Sequence, residues 1–136
     1  MVPLNPSRNA PSAILLVDDD PFLAQARRSA LERRFRHVER AADAAQAFIL
    51  LEDPSFTERL GLVVVALRQP GFCGPAFVRE LMDRLPGKPV LVVGAPGEIA
   101  PDYGGVPVRF LARDASCEDL LAGVWEMVFG THARVA

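Results

Sequence analysis

Lysine is nearly missing from this chain. Lys88 is the only one, and every other fixed positive charge is an arginine, so chemistry that needs a lysine ammonium has a single place to come from. Cysteine is as scarce. Cys73 and Cys117 stand far apart, with no CxxC or Cys/His spacing, which argues against a zinc site or a dithiol motif and fits two reduced thiols in a cytoplasmic protein. His37 and His132 have no spacing, to each other or to carboxylates, that points to ligands or catalysis. No apolar run approaches the roughly 20 residues that span a bilayer. Residues 1–12 hold Pro3, Pro6 and Pro11 but no apolar segment of the signal-peptide kind, and read as a flexible N-terminal arm. A net charge of −2 gives no electrostatic reason for nucleic acid or an anionic membrane as partner.

What is present fits one globular domain. A chain of 136 residues, half of them apolar, is long enough for a single good core. The expected domain is 13–130, with 131–136 as a C-terminal tail. Aliphatic runs at 14–17, 62–67, 89–93 and 108–111, with a shorter candidate at 37–41, alternate with stretches of helical periodicity at 21–35, 44–52, 74–85 and from Ser116 to a stop at Gly130. Asp20, Asp43 and Ser116 stand where N-caps belong, and Asp53-Pro54 stops the second helix. Between 94 and 108, Pro96, Gly97, Pro101, Gly104, Gly105 and Pro107 leave room for a short helix or none. All-apolar strands separated by helices predict an α/β fold, a doubly wound five-stranded parallel sheet.

Two of the strands end differently. Ile14-Leu15-Leu16-Val17 runs into Asp18, Asp19 and Asp20, whereas Leu62-Val63-Val64-Val65 runs into Ala66. Open α/β sheets bind ligands at the carboxyl ends of their strands. Three adjacent acids repel one another, and a divalent cation or a basic side chain relieves that repulsion. Asp before Pro is also an ordinary helix start, so the cluster alone assigns no function.

In this order, residues 13–129 resemble the receiver domain of two-component response regulators. The resemblance is carried by Val17-Asp18-Asp19-Asp20-Pro21 and, in register with it, by the third strand and its loop, Leu62 through Ala66 to Pro70-Gly71 and Gly74. It implies the flavodoxin-like strand order 2-1-3-4-5. It also implies a phosphoryl-transfer site in which a carboxylate at the position of Ala66 accepts the phosphoryl group, Mg²⁺ gathers its oxygens, and a lysine and a hydroxyl complete the pocket.

The chain departs from that pattern at every working position except the acid pair. Ala66 has no lone pair for the acceptor role, Gly94 stands at the hydroxyl position, Arg113 at the lysine position, and Asp114 where a proline follows it. Lys88 precedes the fourth strand, at the opposite end of the sheet. Only the acid pair Asp18 and Asp19 persists. It is the candidate metal site, with Mg²⁺ the candidate ion, although the third protein oxygen is gone and no cofactor is required. The competing expectation is that Arg113 reaches across and forks onto Asp18 or Asp19.

A degenerate, phosphorylation-independent receiver is therefore expected. It would be non-enzymatic and would act by binding a protein: a histidine kinase, a phosphotransfer protein or another regulator. Arg27 and Arg28, with Arg33, Arg34 and Arg36, form the candidate docking face on the first helix, and a merely solvated face would read the same way. The broken segment before the fifth strand removes the expectation of a dimer of the usual form. The rival reading is a small-ligand sensor using the vacated pocket at the ends of strands one and three.

Overall fold

The computed structural model describes residues 12–66, 75–94 and 108–130. Leu67 of the expected third strand, the expected loop after it as far as Gly74, the broken segment before the fifth strand, residues 1–11 of the arm, the tail, Cys73 and His132 lie outside the described residues. In chain order the elements are β1 (Ala13–Asp18), α1 (Pro21–Leu31), β2 (His37–Ala41), α2 (Ala44–Leu50), α3 (Pro54–Arg59), β3 (Leu60–Ala66), α4 (Pro75–Arg84), β4 (Val90–Gly94), β5 (Val108–Ala112) and α5 (Cys117–Phe129). The five strands form one sheet in the order β2-β1-β3-β4-β5, and every pairing is parallel. The expected doubly wound sheet is thus the observed one.

Strand alternation divides the core in two. Leu15, Val17, Val63, Val65, Val90 and Val92 face Ala47, Phe56, Phe77, Val78 and Leu81 of the middle helices. Their neighbours Ile14, Leu16, Leu62, Val64, Leu91 and Val93 face Ala24, Leu31, Leu120, Leu121 and Val124 of α1 and α5. Strands covered on both faces explain the unbroken aliphatic runs. Each fully buried Leu or Ile stabilises the fold by about 1.5–3 kcal/mol relative to exposure. A side cluster joins α1 to α5: Phe35 lies 5.9 Å from Trp125 and 6.2 Å from Phe129, ring centre to ring centre.

Three boundaries differ from the sequence reading, each for a local reason. Helix α1 stops at Leu31 rather than Phe35, because Arg33 and Arg34 donate to carbonyls three residues back, at Ala30 and Leu31, which tightens the chain out of the α-helix. Asp53-Pro54 both ends one helix and opens another: Asp53 Oδ1 accepts from the Ser55 N–H at 2.9 Å, Pro54 takes the first turn, and Phe56 is buried in the core. Strand β3 begins at Leu60, and the register with β1 slips by one residue at Gly61, where glycine accommodates a bulge. Gly130 does close α5, at φ +72°, a conformation that favours glycine. No helix among the described residues is long and apolar enough to cross a membrane.

Candidate functional site

The parallel register brings the candidate residues to one end of the sheet. Asp18 is the last residue of β1 and pairs with Ala66, the last of β3. Gly94, the last of β4, pairs with Ala112, and its carbonyl accepts the Arg113 N–H at 3.0 Å. Alternation sets the direction: Asp18 follows Ile14 and Leu16, and Ala66 follows Leu62 and Val64, on the face that packs against α1 and α5. Both are sealed, Asp18 at 0% and Ala66 at 1% exposure. Lys88 lies before β4, at the other end, as the sequence indicated.

Asp18 is held from three sides. Its Oδ2 accepts from Nη1 of Arg27 at 2.7 Å, and its Oδ1 accepts from the Asp20 N–H at 3.0 Å. Its carbonyl oxygen accepts two bonds from Arg40, from Nε at 3.0 Å and from Nη2 at 2.8 Å. Asp20 faces the other way, capping α1 by accepting the Phe22 and Leu23 N–H groups at 3.0 Å each. Of the acid triplet, one member is a buried ion-pair partner and one is a helix cap.

Arg27 corrects the expectation for the Asp18 partner and the one for its own exposure. The guanidinium on Asp18 belongs to Arg27 and not to Arg113, and Arg27 is not part of an exposed basic face, since only 7% of it is accessible. The reason lies in helix spacing. Ala24, Arg27 and Leu31 fall three and four residues apart, on the stripe of α1 that faces the sheet. That spacing was visible in the sequence; reading Arg27 with its neighbour Arg28 concealed it. Arg40 was missed altogether, although its register position opposite Leu16 places it beside the end of β1.

The other arginines of the expected docking face are spread over different tasks. Arg28 is exposed, 3.4 Å from Glu32 one turn on. Arg33 forks onto Glu118 of α5 at 2.9 and 3.1 Å. That hydrogen bond and the opposite charge hold the Glu118 carboxyl below, and the Arg33 guanidinium above, their ordinary ranges. Arg34 lies over the Trp125 ring, 5.2 Å from its centre. Beside Arg28, an open groove of about 280 Å³ runs along Pro21, Gln25, Ser29 and Arg40. Phe22 stands out at 88% exposure.

Magnesium needs near-octahedral oxygen ligation with at least one or two carboxylates free to bind it. The residues present do not fit. A guanidinium already stands against Asp18 Oδ2, a main-chain N–H is on Oδ1, and Ala66 offers no side-chain oxygen. Among the described residues no three His, Cys, Asp or Glu side chains converge on a point. A cavity beside Arg27, bounded by Val93, Leu111 and Ala115, holds only about 10 Å³, no more than a single water requires.

Known proteins place this geometry in a class. No family model matches the chain. It is 32% identical over 113 residues to the C4-dicarboxylate transport transcriptional regulatory protein DctD of Pseudomonas aeruginosa, a match covering 83% of this chain but only 22% of that regulator's length. Among solved structures, the receiver domain of the hybrid histidine kinase CckA superposes with a TM-score of 0.67 at 24% identity, over 85% of this chain and 98% of that one. A CheY-like response regulator receiver domain protein from Methanospirillum hungatei gives a TM-score of 0.71 at 21% identity, over 90% and 98%. The chain has the receiver-domain fold.

Proposed function

We propose that this chain is a receiver domain of two-component signalling that works without phosphorylation, by binding another protein. One observation carries the reading: Ala66 occupies the end of β3 directly beside Asp18, where the fold's chemistry requires a carboxylate. A methyl group cannot attack phosphorus, and neither a neighbouring acid nor a metal replaces the missing atom. Gly94 and Arg113 at the neighbouring strand ends support it, since the hydroxyl and lysine that would couple a phosphoryl group to a conformational change are also absent. On this reading the module is a binding element: among the described residues no nucleophile is seen paired with a base.

The surface best suited to a partner is the exposed side of α1, which carries the exposed Phe22 and the groove lined by Arg28. A histidine kinase, a phosphotransfer protein or another regulator with an acidic contact fits its chemistry. The test is quantitative binding of such purified proteins to the native chain and to Arg28→Glu. Specific binding that weakens at least tenfold on charge reversal is the expected result, and unaltered binding would move the contact elsewhere. The small-ligand alternative is less favoured beside Arg27, where the cavity among the described residues holds only about 10 Å³. A thermal-shift screen against nucleotides and metabolites checks that point by linkage.

A further inference from the structure

The mismatch between this acid pocket and a metal ion carries a further inference, which rests on the phosphorylation-independent reading above. We infer that Arg27 is a resident cation: its guanidinium takes, from within the fold, the position a divalent ion would occupy against Asp18, and so makes the pocket indifferent to Mg²⁺.

Three observations converge on it. The first is contact. Arg27 Nη1 lies 2.7 Å from Asp18 Oδ2, and both side chains are withdrawn from water, 8% and 0% exposed. The second is the route. The arginine reaches the carboxylate from the buried stripe of α1 and lines a small cavity with Val93, Leu111, Ala112 and Ala115, so that it joins α1 to the ends of β4 and β5. The third is completeness. The other Asp18 oxygen and the Asp18 carbonyl are already met by the Asp20 N–H and by Arg40.

A resident cation behaves differently from an exchangeable one. An arginine keeps its proton throughout the working pH range and cannot be diluted away from a site on its own chain. A metal entering at Asp18 would have to displace it, leaving a buried guanidinium with no anion and a dication beside it. The binding of Mg²⁺ therefore has to overcome the loss of an existing pair as well as the shortage of oxygens. It follows that an acidic residue restored at position 66 does not by itself restore a metal site, since the guanidinium is still in place. Removing Arg27 as well leaves the Asp18 carboxylate and the one introduced at position 66 without that guanidinium, and a bound dication then replaces the lost charge.

The experiment is thermal melting of the full chain in millimolar MgCl₂ against NaCl of equal ionic strength, for the native protein, for Ala66→Asp, and for the Ala66→Asp/Arg27→Met double variant. The expected result is no Mg²⁺-specific shift for the first two and a rise of several degrees for the third; a double variant that folds only with Mg²⁺ is the same result in stronger form. A Mg²⁺-specific gain in the native chain or in Ala66→Asp would overturn the inference, because the ion would then bind with Arg27 present. A double variant that gains nothing, or stays unfolded in both buffers, would also overturn it, because the metal could not stand in for the guanidinium. No phosphodonor is present, so this outcome is separate from whether the native chain accepts a phosphoryl group.

Discussion

The ends of β1 and β3 are register neighbours, and the sequence treats them in opposite ways. At the end of β1 the charge is kept and fully matched: Asp18 holds Arg27 through its side chain and Arg40 through its carbonyl. At the end of β3, and again at the end of β4, side chains are reduced to a methyl group and a hydrogen, at Ala66 and Gly94. The difference separates two roles that one carboxylate cluster can combine. Two of the acids at the end of β1 serve the architecture, Asp18 in an interior ion pair and Asp20 as a helix cap. On the proposed reading the phosphoryl chemistry depends on the other side of the pocket, where Ala66 and Gly94 offer neither a carboxylate nor a hydroxyl.

The largest effect should come from breaking the β1 side. Replacing Arg27 by Met leaves the Asp18 carboxylate buried without its counter-charge and should destabilise the fold by about 3–5 kcal/mol in urea denaturation. Asp18→Asn/Arg27→Met should lose less than the sum of the two single changes, since each single change strands its partner. Purely additive losses would mean that the pair is not the unit described.

A smaller effect is expected on the emptied side. Ala66→Asp forces a second carboxylate into a sealed position beside Asp18 and should cost about 1–3 kcal/mol. Smaller again is the loss of the α1 cap, where Asp20→Ala should remove about 1 kcal/mol without altering the Asp18–Arg27 pair.

The least effect belongs to the exposed Arg33–Glu118 fork. Its sign is fixed by the directions of the two shifts. The folded-state Glu118 carboxyl titrates below its unfolded value, so its contribution is present above the ordinary glutamate range and fades as pH falls through the lowered one. The raised Arg33 value places loss on the alkaline side only in strong base. Melting curves of Glu118→Gln against the native chain should differ above the glutamate range and converge in acid, and added salt should shrink the gap.

Much of this was legible from residue order. Aliphatic runs alternating with helical periodicity define a doubly wound parallel sheet, because that signal is local and repeats along the chain, and the contrast between Asp18 and Ala66 marks the candidate site. The partner of Asp18 was not legible in the same way. Arg113 stands in the loop after β5, where the resemblance directs attention, whereas Arg27 reaches the carboxylate by a helix rotation that places it on the buried stripe. A run of arginines reads as a solvated face unless each is assigned its angle around the helix. The helix at Pro54–Arg59 was hidden for another reason: one Asp-Pro pair is both a stop and a start.

The central claim is that the acceptor is missing, and intact mass after incubation with acetyl phosphate and Mg²⁺ tests it most directly. The native chain should show no added phosphoryl mass at any incubation time. A stoichiometric gain would contradict the account, because another side chain, with Asp20 the first to examine, would then be accepting the group.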